Sequence, residues 1–99
     1  MAVDQKLGPI GTRVLHEDER VRVWEVELEP GQEHPLHEHA VPYVVVVLEG
    51  TRNRLTSIDG EVIEADERVG DVLLLEPATH KIQNVGETRY LNRLIELKA

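Results

Sequence analysis

The sequence predicts an all-β chain folded as a sandwich or barrel, and three observations carry that expectation. Short β-branched runs are separated by Gly, Pro, Asn and Asp about every ten residues. Apolar residues show little helical periodicity. The longest apolar run, Val44 to Leu48 with Val41 and Tyr43 just before it, is far below the roughly 20 residues of a membrane helix and reads as a buried strand.

Taken in order, residues 20–29 alternate, with Val21 and Val23 on one phase and Val26 and Leu28 on the other. That change of phase predicts a bulge near Trp24. Glu29-Pro30-Gly31-Gln32 has the Pro-Gly signature of a type II turn. In the strand-like Pro35-Leu36-His37-Glu38-His39 segment, alternation puts His37 and His39 on one face and Glu38 on the other. Pro42 opens the next strand, where its missing N–H is tolerated, and Gly50-Thr51 turns the chain after Glu49. Residues 52–58 and 61–65 are expected as a hairpin with a type I′ turn at Asp59-Gly60. Val69-Gly70-Asp71 opens a strand over 72–75, Glu76-Pro77-Ala78-Thr79 closes it, and strands over 80–85 and 89–97 complete the set. Trp24 and the valine run are expected to build the core.

Ninety-nine residues with no linker or low-complexity tract imply one domain over 1–99. A chain this short buries only roughly 60 to 70% of its unfolded surface. A homodimer is therefore expected, with residues 1–12 extended or exchanged across its interface and strand edges protected by the partner. The net charge of −8 is spread along the chain, which opposes binding to nucleic acid or anionic membranes. The absence of cysteine excludes disulfides, thiolate nucleophiles and iron–sulfur clusters. Residues 1–13 lack the charged start and apolar middle of a secretion signal, so the expected location is cytoplasmic.

The chemistry points to the histidines. His37 and His39 on one strand face make a two-toothed clamp, and His80 follows about forty residues later in another strand-like segment. Neutral imidazole is the commonest protein ligand for divalent transition metals, and three on one centre leave coordination positions open.

The spacing of these residues resembles that of a known family. Gly31, His37, His39, Tyr43 and Gly50 fit the first cupin motif, with Tyr43 where the family places glutamate. Gly70-Asp71, Pro77, His80 and Asn84 fit the second, although Pro77-Ala78-Thr79-His80 is shorter than usual and lacks the internal glycine. The chain is thus similar to small single-domain cupins. That resemblance implies a double-stranded β-helix, or jelly-roll barrel, of about eight to ten strands. It also implies that His37, His39 and His80 ligate a divalent metal ion: Fe, Mn, Ni or Zn.

Without a glutamate ligand, three neutral imidazoles leave a divalent ion its full positive charge, which favours an anionic chelating ligand or substrate. All-histidine cupin sites of this kind imply a mononuclear non-haem iron dioxygenase, with Tyr43 a candidate hydrogen-bond donor beside the metal. Two other readings stay open: a non-catalytic cupin that binds metal or a small ligand, and an isomerase-like cupin using the histidines as acid and base. His34 is expected to be exposed, the alternatives being that it lines the mouth or substitutes as a fourth ligand; His16 is expected to lie in a solvated turn, and Asn84 to bond backbone at its strand end. Glu38 and Glu49 are poorly placed as substitute carboxylates, and Arg52, Arg54, Arg89 and Arg93 read as surface decoration.

Overall fold

A computed structural model of the chain describes residues 7–98, and every regular element among them is a strand. In chain order these are β1 (Arg13–Glu17), β2 (Val21–Leu28), β3 (Glu33–His39), β4 (Tyr43–Glu49), β5 (Arg52–Ser57), β6 (Val62–Asp66), β7 (Val72–Leu75), β8 (Ala78–Asn84) and β9 (Tyr90–Leu97). They form two antiparallel sheets, one ordered β1-β2-β9-β4-β7 and the other β3-β8-β5-β6. The connections pass back and forth between the sheets, as in a double-stranded β-helix. Among the described residues, no helix is long and apolar enough to cross a membrane.

Period-two alternation explains the larger sheet. Trp24, Val26 and Leu28 of β2, Tyr43, Val45 and Val47 of β4, and Tyr90 and Leu94 of β9 point inward and make the core. Burying each of these side chains contributes roughly 1.5–3 kcal/mol relative to exposure. The other two inward positions of β9, Asn92 and Glu96, are polar yet buried. Glu96 is tolerated because the Trp24 indole Nε1 donates to its Oε1 at 2.6 Å.

Local chemistry explains the joints. Gln32 N donates to Glu29 O at 2.9 Å and Gly31 has φ +85°, the expected type II turn. The hairpin at Asp59-Gly60 differs from expectation. Gly60 alone has positive φ there, and Gly60 N donates to Ser57 O at 2.9 Å. The turn is therefore type I followed by a left-handed glycine, in a loop of residues 58–61 that is longer than a two-residue type I′ turn. The Asp59 carboxylate accepts from the Ser57 hydroxyl and from Glu61 N, which holds the wider loop.

The bulge expected near Trp24 is displaced as well. β2 pairs with β9 without interruption, and the irregularity lies across from it in β1, between Val14 and His16. Both phases of β2 are usable because the outward one is also covered: Glu25 there is 9% exposed and lies beneath Arg13 and Arg93. His16 sits at the end of β1, exposed, with the turn beginning at Asp18, whose carboxylate meets His16 Nε2 and accepts from Arg20 N and Val21 N. These partners push the Asp18 carboxyl down to about 2. Of the amino-terminal segment, residues 1–6 lie outside the described residues. Residues 7–12 run along this chain's own strands, with Gly8 N donating to Leu36 O and Thr12 N to Glu25 O, each at 2.7 Å.

Candidate metal centre

Two local facts bring the histidines together. His37 and His39 are two residues apart in β3 and both are 2% exposed, while Glu38 between them is exposed. β8 pairs antiparallel with β3 so that His80 stands directly opposite His37. Opposed residues of antiparallel strands carry their Cβ atoms about 5 Å apart, so the three rings meet by register alone. Ring centroids are separated by 4.8 Å (His37 to His39), 4.8 Å (His37 to His80) and 5.0 Å (His39 to His80). One ring nitrogen from each lies within 4.8 Å of those of the other two, so these residues are positioned to form a metal site.

The donor set fits a divalent transition metal on three counts. The His37 Nδ1 proton is donated to the Pro35 carbonyl at 2.8 Å, which fixes the tautomer and leaves Nε2 with a free lone pair. His39 Nδ1 is buried with no partner, a state that costs roughly 1–3 kcal/mol when nothing satisfies it. Burial also keeps the imidazoles neutral, the form that ligates. It pushes His37 down to about 4, with neighbouring His80 and His34 adding to the shift against an opposing bond to Pro35. It pushes His39 down to about 3, helped by His37, His80 and His34, and lowers His80 as well. His37, His39 and His80 would hold such an ion through one ring nitrogen each.

Tyr43 reaches the centre from the opposite sheet. Its ring stacks on His39 with centroids 3.8 Å apart and planes at 11°, and it is 3% exposed. Burial raises its hydroxyl to about 12, so it stays protonated and able to donate. His34 departs from the expected exposure. An irregularity in β3 between His34 and His37 cancels the alternation that would turn His34 outward. Its ring is buried 4.9 Å from that of His37, and its Nε2 donates to Pro9 O at 2.7 Å.

Other side chains take the places expected of them. Asn84 is fully buried and satisfies backbone: its Nδ2 donates to Leu28 O and Thr88 O, and its Oδ1 accepts from Gly86 N. Arg52 and Arg54 pair with Glu64, Arg89 with Glu27 and Glu49, and Arg93 with Glu25. Glu49 is thereby engaged at the far end of β4, away from the histidines.

A cavity of about 220 Å³ extends from the histidines between the two sheets. Its walls are mostly apolar, including Val45, Leu55, Leu73, Ile82 and Leu94, but it is also lined by Glu67, Tyr90 and Asn92. The sequence pattern carries no signal for Glu67, which lies in the connection from β6 to β7. The period-two series Tyr90, Asn92, Leu94 and Glu96 does carry one for the other two, since a strand that buries one face buries its polar members on that face too. Gly50 contributes by its small size: a Cβ there would lie 2.8 Å from Tyr90 Cδ1.

Comparison with known proteins agrees with this geometry. The family described as "Cupin domain" matches residues 24–92. A cupin domain from Bordetella pertussis Tohama I superposes with a TM-score of 0.81 at 30% identity, covering 96% of this chain and 98% of that one. A Klebsiella pneumoniae protein with a double-stranded β-helix domain gives 0.69 at 20% identity, covering 99% and 88%. A cupin superfamily protein from Desulfitobacterium hafniense gives 0.62 at 20% identity, covering 94% and 84%. No curated protein matches the chain.

Proposed function

The chain belongs to the cupin family, and from that premise we propose that it is a metal-binding cupin acting as a mononuclear non-haem iron dioxygenase on a small anionic chelating substrate. The observation that carries the reading is a trio of neutral imidazoles, two buried and one half-buried, with no carboxylate among them, at one end of an apolar cavity. His37, His39 and His80 would hold the ion, which when bound supplies Lewis acidity and, as ferrous iron, the electrons that dioxygen chemistry needs. The rest falls to the chain's own residues. Neutral ligands leave the centre's charge uncompensated, so an anionic head group is preferred over a neutral one. Tyr43 holds the plane of His39 by stacking and presents a protonated hydroxyl. Val45, Leu55 and Leu94 exclude water from the bound substrate and strengthen each polar contact within the cavity.

The isomerase-like alternative has less support. A base works best with a pKa near the operating pH, and burial holds His37 and His39 near 4 and 3. A non-catalytic binding cupin needs the same centre without turnover. Metal analysis of protein prepared without an affinity tag is expected to find about one transition metal ion per chain. Oxygen uptake by the ferrous form is then expected with thiol-carboxylates or diketones. Stoichiometric metal without uptake for any such substrate would leave the binding reading in its place, and protein that takes up no metal would remove both.

A homodimer belongs to the same proposal. β6 and β7 are unpaired edges of their sheets and carry Val62, Ile63, Val72 and Leu74 exposed, and unprotected apolar edges favour strand pairing with a second copy. Light scattering is expected to give twice the 11.2 kDa chain mass, and a monomer at micromolar concentration would refute it.

A further inference from the structure

At the end of the cavity away from the histidines, three strands and a connection place a second polar group. Along β8, Asn84 lies four residues beyond His80, about 13 Å at the usual strand rise. Asn84 is opposite Asn53 of β5, and Asn53 Nδ2 donates to Glu67 Oε2 at 2.8 Å. From the other sheet, Asn92 Nδ2 donates to the Tyr90 hydroxyl oxygen at 2.7 Å.

The Asn92 amide spends one N–H on the Tyr90 oxygen, and its own carbonyl oxygen is left over. Asn92 is 3% exposed, lines the cavity, and its Oδ1 has no partner. Between it and the histidines the walls are apolar. The cavity therefore ends in free acceptors: the Asn92 carbonyl and the unused lone pairs of Glu67.

We propose that Glu67, Tyr90 and Asn92 form a second recognition point for the far end of the same ligand, one that takes a hydrogen-bond donor. The substrate class is then a two-ended small molecule, with an anionic chelating head at the histidines, a short apolar spacer, and a terminal hydroxyl or amine at Asn92 and Glu67. The head-group half rests on the reading of the histidines given above, whereas the donor end rests on the unpaired Asn92 carbonyl and on Glu67, both lining the cavity.

The test loads the protein with zinc, which does no redox chemistry, and compares an α-hydroxy acid bearing a terminal hydroxyl or amine with its unsubstituted parent of equal length by calorimetry. Wild type is expected to bind one of the donor-bearing acids at least about tenfold more tightly than the parent, the usual discrimination of a site that leaves a buried acceptor unpaired. Neutral hydroxyl and charged ammonium arms identify the preferred donor. Asn92→Leu and Glu67→Gln are expected to reduce that preference while zinc stoichiometry stays unchanged. Equal affinity for all three acids in wild type, or a preference that survives both substitutions, would overturn the proposal. A metal-free arm separates this result from failure of the histidine reading. Pentanol is expected to shift the Asn92 and Asn53 side-chain amide resonances, whereas pentyl methyl ether, which has no donor, leaves them in place. Identical responses to the two would overturn the donor site whatever the metal result.

Discussion

At the His37, His39 and His80 end of the cavity, three bases are packed together with no acid among them. At the Glu67 end, an acid accepts from the Asn53 amide and a phenol from the Asn92 amide. Both ends bury polar atoms without burying a salt bridge, but they do so differently. The first lowers its basicity until the charged form disappears, and so keeps its lone pairs for something that enters. The second spends its donors internally and leaves acceptors over. A cavity with such ends favours an electron-pair acceptor on one side and a proton donor on the other. Its apolar middle sets only length.

The largest effect should come from breaking the basic end. His80→Ala removes one of three ligands, and is expected to lower metal affinity by more than the roughly 10–100-fold that loss of an outer hydrogen-bond partner costs. Metal content after dialysis checks this. The far-ultraviolet dichroism should be unchanged, because His80 is only half-buried.

Next comes the framework of the opposite end. Asn84→Ala removes three backbone bonds, two of them to carbonyls that lose a buried donor, and is expected to destabilise the fold by about 1–3 kcal/mol in urea unfolding. Metal stoichiometry should hold, since Asn84 lies four residues from the nearest histidine.

Acid should separate the two ends further. In metal-free protein, His37 and His39 have folded pKa values of about 4 and about 3 against an ordinary 6.5. Below pH 6.5 the unfolded chain therefore binds more protons than the folded one. Stability is full above about pH 6.5, falls as the pH drops toward 4 and 3, and levels off below. Burial raises Glu67, despite the bond it accepts from Asn53, which gives the opposite sign: a carboxyl raised in the fold contributes more stability at acid pH than at neutral. Unfolding of wild type and of Glu67→Gln across this range is expected to show a steeper acid loss in the variant.

Tyr43→Phe should have the smallest effect on structure. The stack on His39 survives without the hydroxyl, so thermal unfolding should shift by less than about 1 kcal/mol and metal content should be unchanged. Oxygen uptake is expected to fall if the hydroxyl serves the substrate, and an unchanged rate would restrict Tyr43 to holding its neighbour.

The two ends were unequally legible in the sequence. Alternation within five residues is enough to place His37 and His39 on one face, and the spacing of glycines and Asn84 marks the segment that brings His80 alongside. Glu67 meets Tyr90 and Asn53 only after β5, β6 and β9 have been assigned to opposite sheets, which no local pattern specifies. His34 was hidden for a subtler reason. Parity turns it outward, and only the irregularity before His37 turns it back. The turn at Asp59-Gly60 was recognisable as a turn, but its type depended on the Asp59 carboxylate engaging Ser57 and Glu61.

That irregularity in β3 divides the strand into two independently phased pieces. His34 before it and His37 and His39 after it all face inward, which one unbroken alternation over residues 34–39 would not allow. One strand thus sends His34 to the amino-terminal segment at Pro9 and His37 and His39 to the imidazole trio, two separate anchorages from seven residues.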